Sequence, residues 1–536
     1  MHLKGEPFDL GARKRSRTQL SRYCQAEYFW DVAERNNLVP FVINYPSGWP
    51  GNFKKGVMSL FTWKFPESSK IMVSPSKSYN FKINSKKDSL RIFKEGKNLK
   101  IYLKIKSKII PLYFKPNNDG NILLTIDDVE QNLQEMEWSK WLKVNLDTST
   151  DVLSCLFRLK ITKFNDQNIS LERSAVYNMN GWTNPDSFGE KLIRNVFEYD
   201  LPKEHEVEFM VYEEMSSYLI SVQNESLMLS GAINYAKRDL NWDVCYFHYH
   251  PLDSVNHESL AYLHKGSPLY TEEKASLIIK NVETVYNIVD DMIGKLINSS
   301  VDANTIVVFI SDHGAIPIWK IVNIPVFFMK TGLTNYNWNE FEKRYHINWK
   351  KSKVFPYMEP PFVWINLEGR DPHGIIKSSD YEETRDLVIE TLYNLKDPET
   401  NNRIIELAIK REDAGYLGLN GERIGDVIYF LKPPYGIFDG NLGDLNASII
   451  TKSEYERPII NMSQSFFGAH AYYLPSTIHG NFSVSVPFII SGPGIKKGYK
   501  LNNIVNLVDV APTLSNMLDI PTPKNSEGKI LYDLFE

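Results

Sequence analysis

The strongest constraint on this fold is an apolar segment, residues 305–310, that follows a long amphipathic pattern. Between residues 272 and 298, apolar side chains recur at alternating spacings of four and three, which predicts one helix with a single buried stripe. The stripe consists of Ile278, Val282, Val285, Val289, Met292 and Leu296. A second apolar segment at 243–247 precedes the helix, so the predicted order is strand, helix, strand. Continuous apolar strands in this order indicate a parallel sheet covered by helices.

The rest of the chain divides into segments of different sequence texture. Residues 67–170 alternate between polar and apolar side chains, as at 100–106, and this period of two predicts strands. The predicted segments are 1–66 as part of an α/β core, 67–170 as a β-rich insertion, 171–319 as core, 320–464 as a mixed cap, and 465–536 as core again. We predict an α/β fold whose mostly parallel sheet is flanked by helices.

The composition excludes several classes of function. A net charge of -4 gives the chain no global attraction for a nucleic-acid duplex or an anionic membrane. There is no run of about 18 apolar residues, so no membrane span is expected. Cys24, Cys155 and Cys245 are too far apart for a zinc motif or a disulfide framework, and the first residues lack the apolar centre of a secretory signal. We therefore expect a cytoplasmic location; the oligomeric state leaves no pattern in the sequence.

Residues of the types that bind metal ions follow both predicted strands. Asp253 and His257 come after the segment at 243–247, and Asp312 and His313 come directly after the segment at 305–310. Sites in open parallel sheets form at the carboxyl ends of the strands. Asp253 and His257 are four residues apart, so one helical turn would place them on the same face. Carboxylate and imidazole groups together suit Zn²⁺, Mn²⁺ or a similar ion.

Each of these motifs is weak when it is taken alone. The spacing Asp-x-x-x-His is common by chance, and Asp-His-Gly after a strand is most often a polar loop. Their positions at two strand ends joined by a helix strengthen the metal-site interpretation. His479-Gly480, before the apolar segment at 487–491, is a third approach to the same sheet edge.

This set of residues resembles the alkaline phosphatase superfamily, and within it the type I phosphodiesterase/nucleotide pyrophosphatase branch. The similarity extends beyond the metal-ligand candidates to several other segments that fall in the family's order. They are residues 29–31, 42–46, 365–374, 422–428 and 509–513. The resemblance covers nearly the whole chain except the β-rich insertion.

The resemblance implies two divalent cations and assigns ligands to each. Asp253, His257 and His479 would hold one ion, and Asp312 and His313 would hold the other. His470 is the alternative third ligand of the first ion. His248, His250 and His264 are interpreted as loop or supporting residues. Zn²⁺ is the favoured ion, and Mn²⁺ and Mg²⁺ are the alternatives.

The implied reaction is phosphoryl transfer on a small-molecule phosphodiester or nucleotide pyrophosphate. Two cations about 4 Å apart would clamp the attacking and leaving oxygens of an in-line displacement. Sulfatases, a sister branch, need a modified Cys or Ser in a Cys/Ser-x-Pro-x-Arg context, which this sequence does not contain.

The resemblance is incomplete at the beginning of the chain. The family starts with a strand that ends in an Asp ligand, followed by a loop that carries a Thr or Ser nucleophile. Asp9, Thr18 and Ser21 lack the context of either role, so no catalytic nucleophile is assigned. The second ion would keep only two protein ligands, Asp312 and His313, whereas a stable site has three or four. We therefore expect one ion in this chain. The chain is then either a fragment of a longer protein, which the intact remainder favours, or an inactive metal-binding scaffold.

Overall fold

The structure is a computed structural model, and it describes residues 20–62, 71–83, 92–117, 120–148, 151–198, 200 and 215–536. Asp9 and Thr18 lie outside these ranges. In the described part of the chain, no helix is both long enough and apolar enough to cross a membrane.

The first core elements come directly after a short 3-10 turn at Ser21–Tyr23. They are the helix α1 (Phe29–Arg35) and the strands β1 (Pro40–Ile43) and β2 (Val57–Ser59). All residues of β1 and β2 are buried, and the two strands pair in parallel. The helix and the strands lie within residues 1–66, the segment predicted as part of an α/β core.

Antiparallel strands make up the described part of the predicted insertion, residues 67–170, and continue beyond it to Asn178. They are β3 (Met72–Ser74), β4 (Lys77–Lys82), β5 (Ile92–Glu95), β6 (Asn98–Ile105), β7 (Lys108–Pro116), β8 (Ile122–Ile126), β9 (Val129–Leu133), β10 (Leu142–Asp147), β11 (Val152–Phe157), β12 (Leu159–Phe164), β13 (Asn168–Arg173) and β14 (Val176–Asn178). Strands β5 to β9 form one five-stranded sheet in sequence order. Its apolar face packs on side chains from the other strands of this region, including Phe157, Leu159 and Leu171.

The predicted strand-helix-strand unit follows. Its elements are β15 (Thr183–Asn184), α2 (Ser187–Val196), α3 (Met215–Leu240), β16 (Val244–Phe247), α4 (Pro251–Leu263), α5 (Glu272–Ser300) and β17 (Val307–Ile310). The predicted stripe of α5 is buried at all six positions. Thr271 caps the start of α5 by accepting a hydrogen bond from the Lys274 amide at 3.2 Å. The four-stranded core sheet has the order β15-β2-β1-β16, with β1 and β16 parallel.

The region predicted as a mixed cap contains short strands and helices in several sheets. They are β18 (Ile316–Pro317), β19 (Lys320–Val322), α6 (Ile324–Lys330), β20 (Tyr336–Asn339), β21 (Arg344–Ile347), β22 (Val354–Tyr357), β23 (Phe362–Ile365), α7 (Tyr381–Tyr393), β24 (Ile405–Lys410), β25 (Val427–Leu431), β26 (Tyr435–Gly436), β27 (Ile449–Thr451), α8 (Lys452–Glu456) and β28 (Ile460–Met462). The largest of these sheets has the order β22-β23-β25-β24 and is antiparallel.

The last segment returns to the core. Its elements are β29 (Gly468–Ala469), β30 (Ile478–His479), β31 (Phe482–Ser483), β32 (Phe488–Ser491) and α9 (Val510–Met517). Strand β29 pairs with β18 beside helix α4, and β32 pairs antiparallel with β17. Short 3-10 turns flank the longer elements at Ser378–Asp380, Arg411–Leu417, Leu442–Leu445, Leu507–Asp509 and Tyr532–Leu534.

The mixed α/β content agrees with the prediction, but a mostly parallel sheet is not confirmed. The described strands form ten small sheets, and the parallel pairs among them are β1 with β2, β1 with β16, and β19 with β26. The predicted central strands β16 and β17 do not pair with each other. Antiparallel hairpins of the insertion and the cap therefore supply most of the pairing.

A cleft of about 2430 Å³ runs past both β16 and β17. Their side chains are only half-buried, and Phe247 and Ile310 at the strand ends are exposed. The cleft is also lined by apolar residues of α5 and α9, such as Met292 and Leu514. Complete burial of these two strands, which their apolar sequences predicted, is therefore corrected: each forms the edge of its own sheet in the described part of the chain.

Candidate metal centre

Helix α4 places Asp253 and His257 side by side. The helix begins at Pro251, which is favoured in the first turn because its position needs no amide donor. Asp253 lies in that first turn and His257 lies one turn later, as the four-residue spacing requires. The Asp253 Oδ2 and His257 Nε2 atoms are 3.0 Å apart. The C-terminal end of β16 therefore presents a carboxylate and an imidazole together.

The second ring nitrogen of His257 fixes the orientation of its ring. Nδ1 lies 2.7 Å from the Gly468 carbonyl oxygen, so Nδ1–H donates to that oxygen and Nε2 is directed at Asp253. The backbone at Gly468 lies so close to α4 that a Cβ atom there would be 2.2 Å from the Asn256 carbonyl oxygen. The Phe466 ring also stacks on His257, with 4.1 Å between the ring centroids. Only glycine at position 468 permits the close approach of this backbone to α4.

His470 lies two residues after Gly468 and completes a three-residue group with Asp253 and His257. One ligand atom from each of Asp253, His257 and His470 lies within 4.8 Å of the other two. His470 Nε2 is 3.9 Å from Asp253 Oδ1. Burial and the neighbouring His313 lower the pKa of His470 to about 3, so its imidazole is neutral and offers a lone pair at neutral pH.

Asp312 and His313 lie beside this group, after the end of β17. His313 Nε2 is 3.8 Å from Asp253 Oδ1, and its ring stacks on His470 at 3.4 Å. Asp312 is largely exposed and lines the cleft. Gly314 is needed because a Cβ atom there would lie 2.2 Å from the Ser483 carbonyl oxygen, and its amide donates to the Val484 oxygen at 2.8 Å.

His479 is not part of the group, which corrects its expected place beside Asp253 and His257. Its ring stacks on His264, with 4.2 Å between centroids and 8° between planes. Trp319 lies near both rings. Burial and the charge of His264 lower the pKa of His479. Strand β30 and the turn at Gly480 place this histidine beside the end of α4 and near β18, rather than beside Asp253 and His257.

The electrostatics of Asp253 depend on the surrounding imidazoles. Burial alone would raise the pKa of Asp253, but the charge of His257 and hydrogen bonds from His250 and His257 outweigh burial, so the pKa lies well below its ordinary value. His250 Nε2 is 3.2 Å from Asp253 Oδ2, a contact that agrees with a supporting role. Burial, followed by the nearby His250, lowers the pKa of His248 to about 4.

One atom in the group lacks a partner. The Asp253 Oδ1 atom is buried and accepts no hydrogen bond from any described residue, although His313 and His470 both point Nε2 toward it. A buried carboxylate oxygen without a donor is costly. One carboxylate with neutral imidazoles is also a common donor set for Zn²⁺ and similar ions. The residues therefore fit a divalent cation.

A known protein family matches more than half of this chain. Residues 172–470 match the family described as type I phosphodiesterase / nucleotide pyrophosphatase, and the match ends at His470. Because it covers more than half of the chain, the chain belongs to this family and, through it, to the alkaline phosphatase superfamily of metal-dependent hydrolases.

Among curated proteins, the chain is similar to sulfatases over shorter stretches. It is 22% identical over 234 residues to arylsulfatase K of Homo sapiens, a match that covers 38% of this chain and 40% of that protein. It is 45% identical over 53 residues to an extracellular sulfatase SULF-1 homolog of Drosophila melanogaster, covering 10% and 5%. The chain thus spans less than half the length of these relatives.

Among solved structures, the wild-type alkaline phosphatase PafA has 17% identity and a TM-score of 0.34. That match covers 59% of this chain and 53% of the other.

Proposed function

We propose that this protein is a metal-dependent hydrolase of phosphate esters, with phosphodiesters or nucleotide pyrophosphates as the substrate class. The observation that carries the proposal is the group of Asp253, His257 and His470, whose ligand atoms lie within 4.8 Å of one another. The unpartnered Asp253 Oδ1 gives this group an acceptor that a cation would satisfy. Family membership supports the reaction class.

The side chains of the group have distinct roles in this proposal. Asp253 stays ionised because of its surroundings, and His470 stays neutral. Gly468 engages Nδ1 of His257, so that Nε2 is the atom that would bind an ion. When bound, a divalent ion would polarise a phosphoryl oxygen and lower the pKa of a bound water.

Asp312 and His313 are proposed as ligands of a second divalent ion, as the family resemblance implies. They lie next to the first group, but they provide only two ligands, whereas stable sites usually have three or four. We therefore propose one tightly bound ion in this chain, with Zn²⁺ favoured over Mn²⁺ and Mg²⁺ because imidazole nitrogen predominates among the ligands.

No nucleophile is assigned to the chain. Ser311 is the nearest hydroxyl in sequence to Asp312, but it donates its hydrogen bond to the His313 carbonyl oxygen at 2.8 Å. Ser21 lies in the 3-10 turn before α1. We therefore propose turnover near background for the chain as given, with phosphate-ester binding retained at the metal group.

Sulfate-ester hydrolysis is the second candidate, because the curated relatives of the chain include arylsulfatase K. We favour phosphate esters because the match to the type I phosphodiesterase / nucleotide pyrophosphatase family spans residues 172–470. A non-catalytic metal-binding scaffold is the third candidate, because no nucleophile is assigned.

Metal analysis and turnover test the proposal together. The purified chain is dialysed against zinc, and bound metal is measured beside hydrolysis of bis-p-nitrophenyl phosphate and p-nitrophenyl sulfate. We expect about one tight ion per chain and near-background release of nitrophenol from both esters.

The His257→Ala variant separates the possible failures. A wild-type chain that folds normally but binds no metal would refute the ligand assignment. Robust phosphodiester hydrolysis that His257→Ala abolishes would refute the absence of a nucleophile. Turnover of the sulfate ester alone would establish the second candidate.

A further inference from the structure

The parallel register of β1 and β16 places Asn44 beside the loop of residues 248–250 that leads into α4. Ile43 lies opposite Phe247 at the carboxyl ends of the two strands, so the next residue of each strand is a neighbour of the other. The Asn44 Nδ2 atom donates a hydrogen bond to the His248 carbonyl oxygen at 2.9 Å. Asn44 is fully buried and has a positive φ of 58°, which asparagine adopts more readily than most residues. Its side chain therefore fixes the backbone at the start of the loop.

Two further buried polar side chains connect Asn44 to helix α3. The Thr62 hydroxyl lies 3.2 Å from Asn44 Oδ1 and is also hydrogen-bonded to the carboxylate of Glu225, which belongs to α3. Thr62 and Glu225 are each 8% exposed. Buried polar groups are costly unless they are hydrogen-bonded, so these bonds hold the three side chains in one arrangement. We call these three residues the Asn44 network.

The same face of α3 contacts the other end of the loop. Tyr218, Val222 and Glu225 are spaced by four and three residues, so they share one face of the helix. The Tyr249 hydroxyl donates to the Val222 carbonyl oxygen at 2.9 Å, and the Tyr218 hydroxyl donates to the Pro251 carbonyl oxygen at 3.3 Å. The loop is therefore held by side-chain hydrogen bonds on both sides before α4 begins.

The loop in turn determines where Asp253 lies. The His250 carbonyl oxygen accepts hydrogen bonds from the amides of Asp253 and Ser254 at 3.1 and 3.3 Å, and these bonds form the first turn of α4. The His250 Nε2 atom also lies 3.2 Å from Asp253 Oδ2. A displacement of His250 would thus move both the backbone and the carboxylate of Asp253, which is the acidic member of the metal group.

We propose that the Asn44 network is a set of positioning residues for the metal group, which act through the loop at 248–250 on the carboxylate of Asp253. None of the three side chains belongs to the metal group itself. The inference rests on the proposed function, because it requires that Asp253 binds a cation. Loss of a residue that orients a metal ligand typically costs about 10–100-fold in metal affinity. The network therefore strengthens zinc binding without contact with the ion.

One substitution and a matched control test this positioning. Asn44→Gly removes the side-chain amide and keeps a residue that tolerates the positive φ. We expect roughly tenfold weaker zinc binding, measured by competition with a chromogenic chelator. The control Asn366→Ala removes another fully buried amide, which donates to three carbonyl oxygens in the cap. It should lower the free energy of unfolding in urea and leave zinc affinity unchanged. Equal zinc affinity of the wild type and Asn44→Gly would overturn the proposal.

Two substitutions of Thr62 separate positioning from general stability. Thr62→Val keeps the shape of the side chain and removes its hydroxyl, whereas Thr62→Ser keeps the hydroxyl and removes a buried methyl group. We expect Thr62→Val to weaken zinc binding and Thr62→Ser to bind zinc like the wild type, although both lower stability. The visible absorption of bound Co²⁺ reports coordination geometry, so it should change in Thr62→Val alone. Zinc affinities and cobalt spectra that are alike in the two variants would contradict a positioning role.

Hydrogen exchange of the metal-free chain distinguishes this inference from the proposed function. Amides of residues 248–257 should exchange faster in Asn44→Gly than in the wild type, because the loop and the first turn of α4 lose a fixed neighbour. Asn366→Ala should exchange like the wild type in this segment. A wild type that binds no zinc but shows this difference would refute the proposed function and support the placement of Asp253 by the network. Equal exchange in Asn44→Gly and the wild type would overturn that placement, whatever the zinc result.

Discussion

At the scale of single residues, the third member of the metal group shows how close approach determines a site. His470 lies two residues after Gly468, and His479 lies directly before Gly480. Gly480 has a positive φ of 61° and forms a turn, whereas Gly468 permits backbone contact with α4. That contact brings His470 to Asp253 and leaves His479 against His264.

Substitution of the two histidines distinguishes their roles. Loss of a residue that only orients a ligand typically costs 10–100-fold in metal affinity, so we expect His470→Ala to weaken zinc binding by more than about a hundredfold. His479→Ala should leave the affinity nearly unchanged. Competition with a chromogenic zinc chelator measures both variants. Equal losses, or a loss confined to His479→Ala, would contradict the placement of His470 in the metal group.

At the scale of elements, the segment at 365–374 that resembles the family serves the structure of the cap. The Asp426 carboxylate, fully buried before β25, accepts hydrogen bonds from the side chains of Arg370, Arg411 and Tyr381. It also accepts the Ile365 amide at 2.7 Å. This buried network joins β23, β25 and α7. Family resemblance at these residues therefore reflects stability of the cap rather than catalysis.

Asp426→Asn should destabilise the cap strongly. The substitution removes the carboxylate that pairs with Arg411 and Arg370, of which Arg370 keeps only Asp371. Breaking such a buried pair costs about 3–5 kcal/mol. The matched control is Asp386→Asn, which removes one of the two exposed carboxylates paired with Lys410, the one at 2.6 Å. We expect this control to change the free energy of unfolding by less than about 1 kcal/mol. Urea unfolding monitored by tryptophan fluorescence measures both; similar losses would show that Asp426 is not the centre of the network.

At the scale of the whole molecule, the cleft beside β16 and β17 separates two parts of the core. Strand β1 has a neighbour on each side, whereas β16 and β17 each have one among the described strands. The apolar sequences of β16 and β17 are those of central strands, yet their side chains are half-buried. The metal group lies at the end of this cleft.

Hydrogen exchange should detect this difference. Amides that point into the cleft from β16 and β17 have no strand partner, so they should exchange at least about tenfold faster than amides of β1. Peptide-level exchange followed by mass spectrometry resolves the three strands. Protection of β17 equal to that of β1 would mean that the cleft is closed in solution.

The sequence by itself determined the local elements and the local half of the site. The apolar stripe of α5 is buried at every predicted position, and the four-residue spacing places Asp253 beside His257, because both depend only on helical periodicity. Tertiary structure decided which histidine joins them, since close packing of Gly468 on α4 is a contact between residues more than 200 positions apart. It also decided that β16 and β17 border a cleft. Strand pairing and sheet faces are set by long-range packing, which periodicity within one segment does not specify.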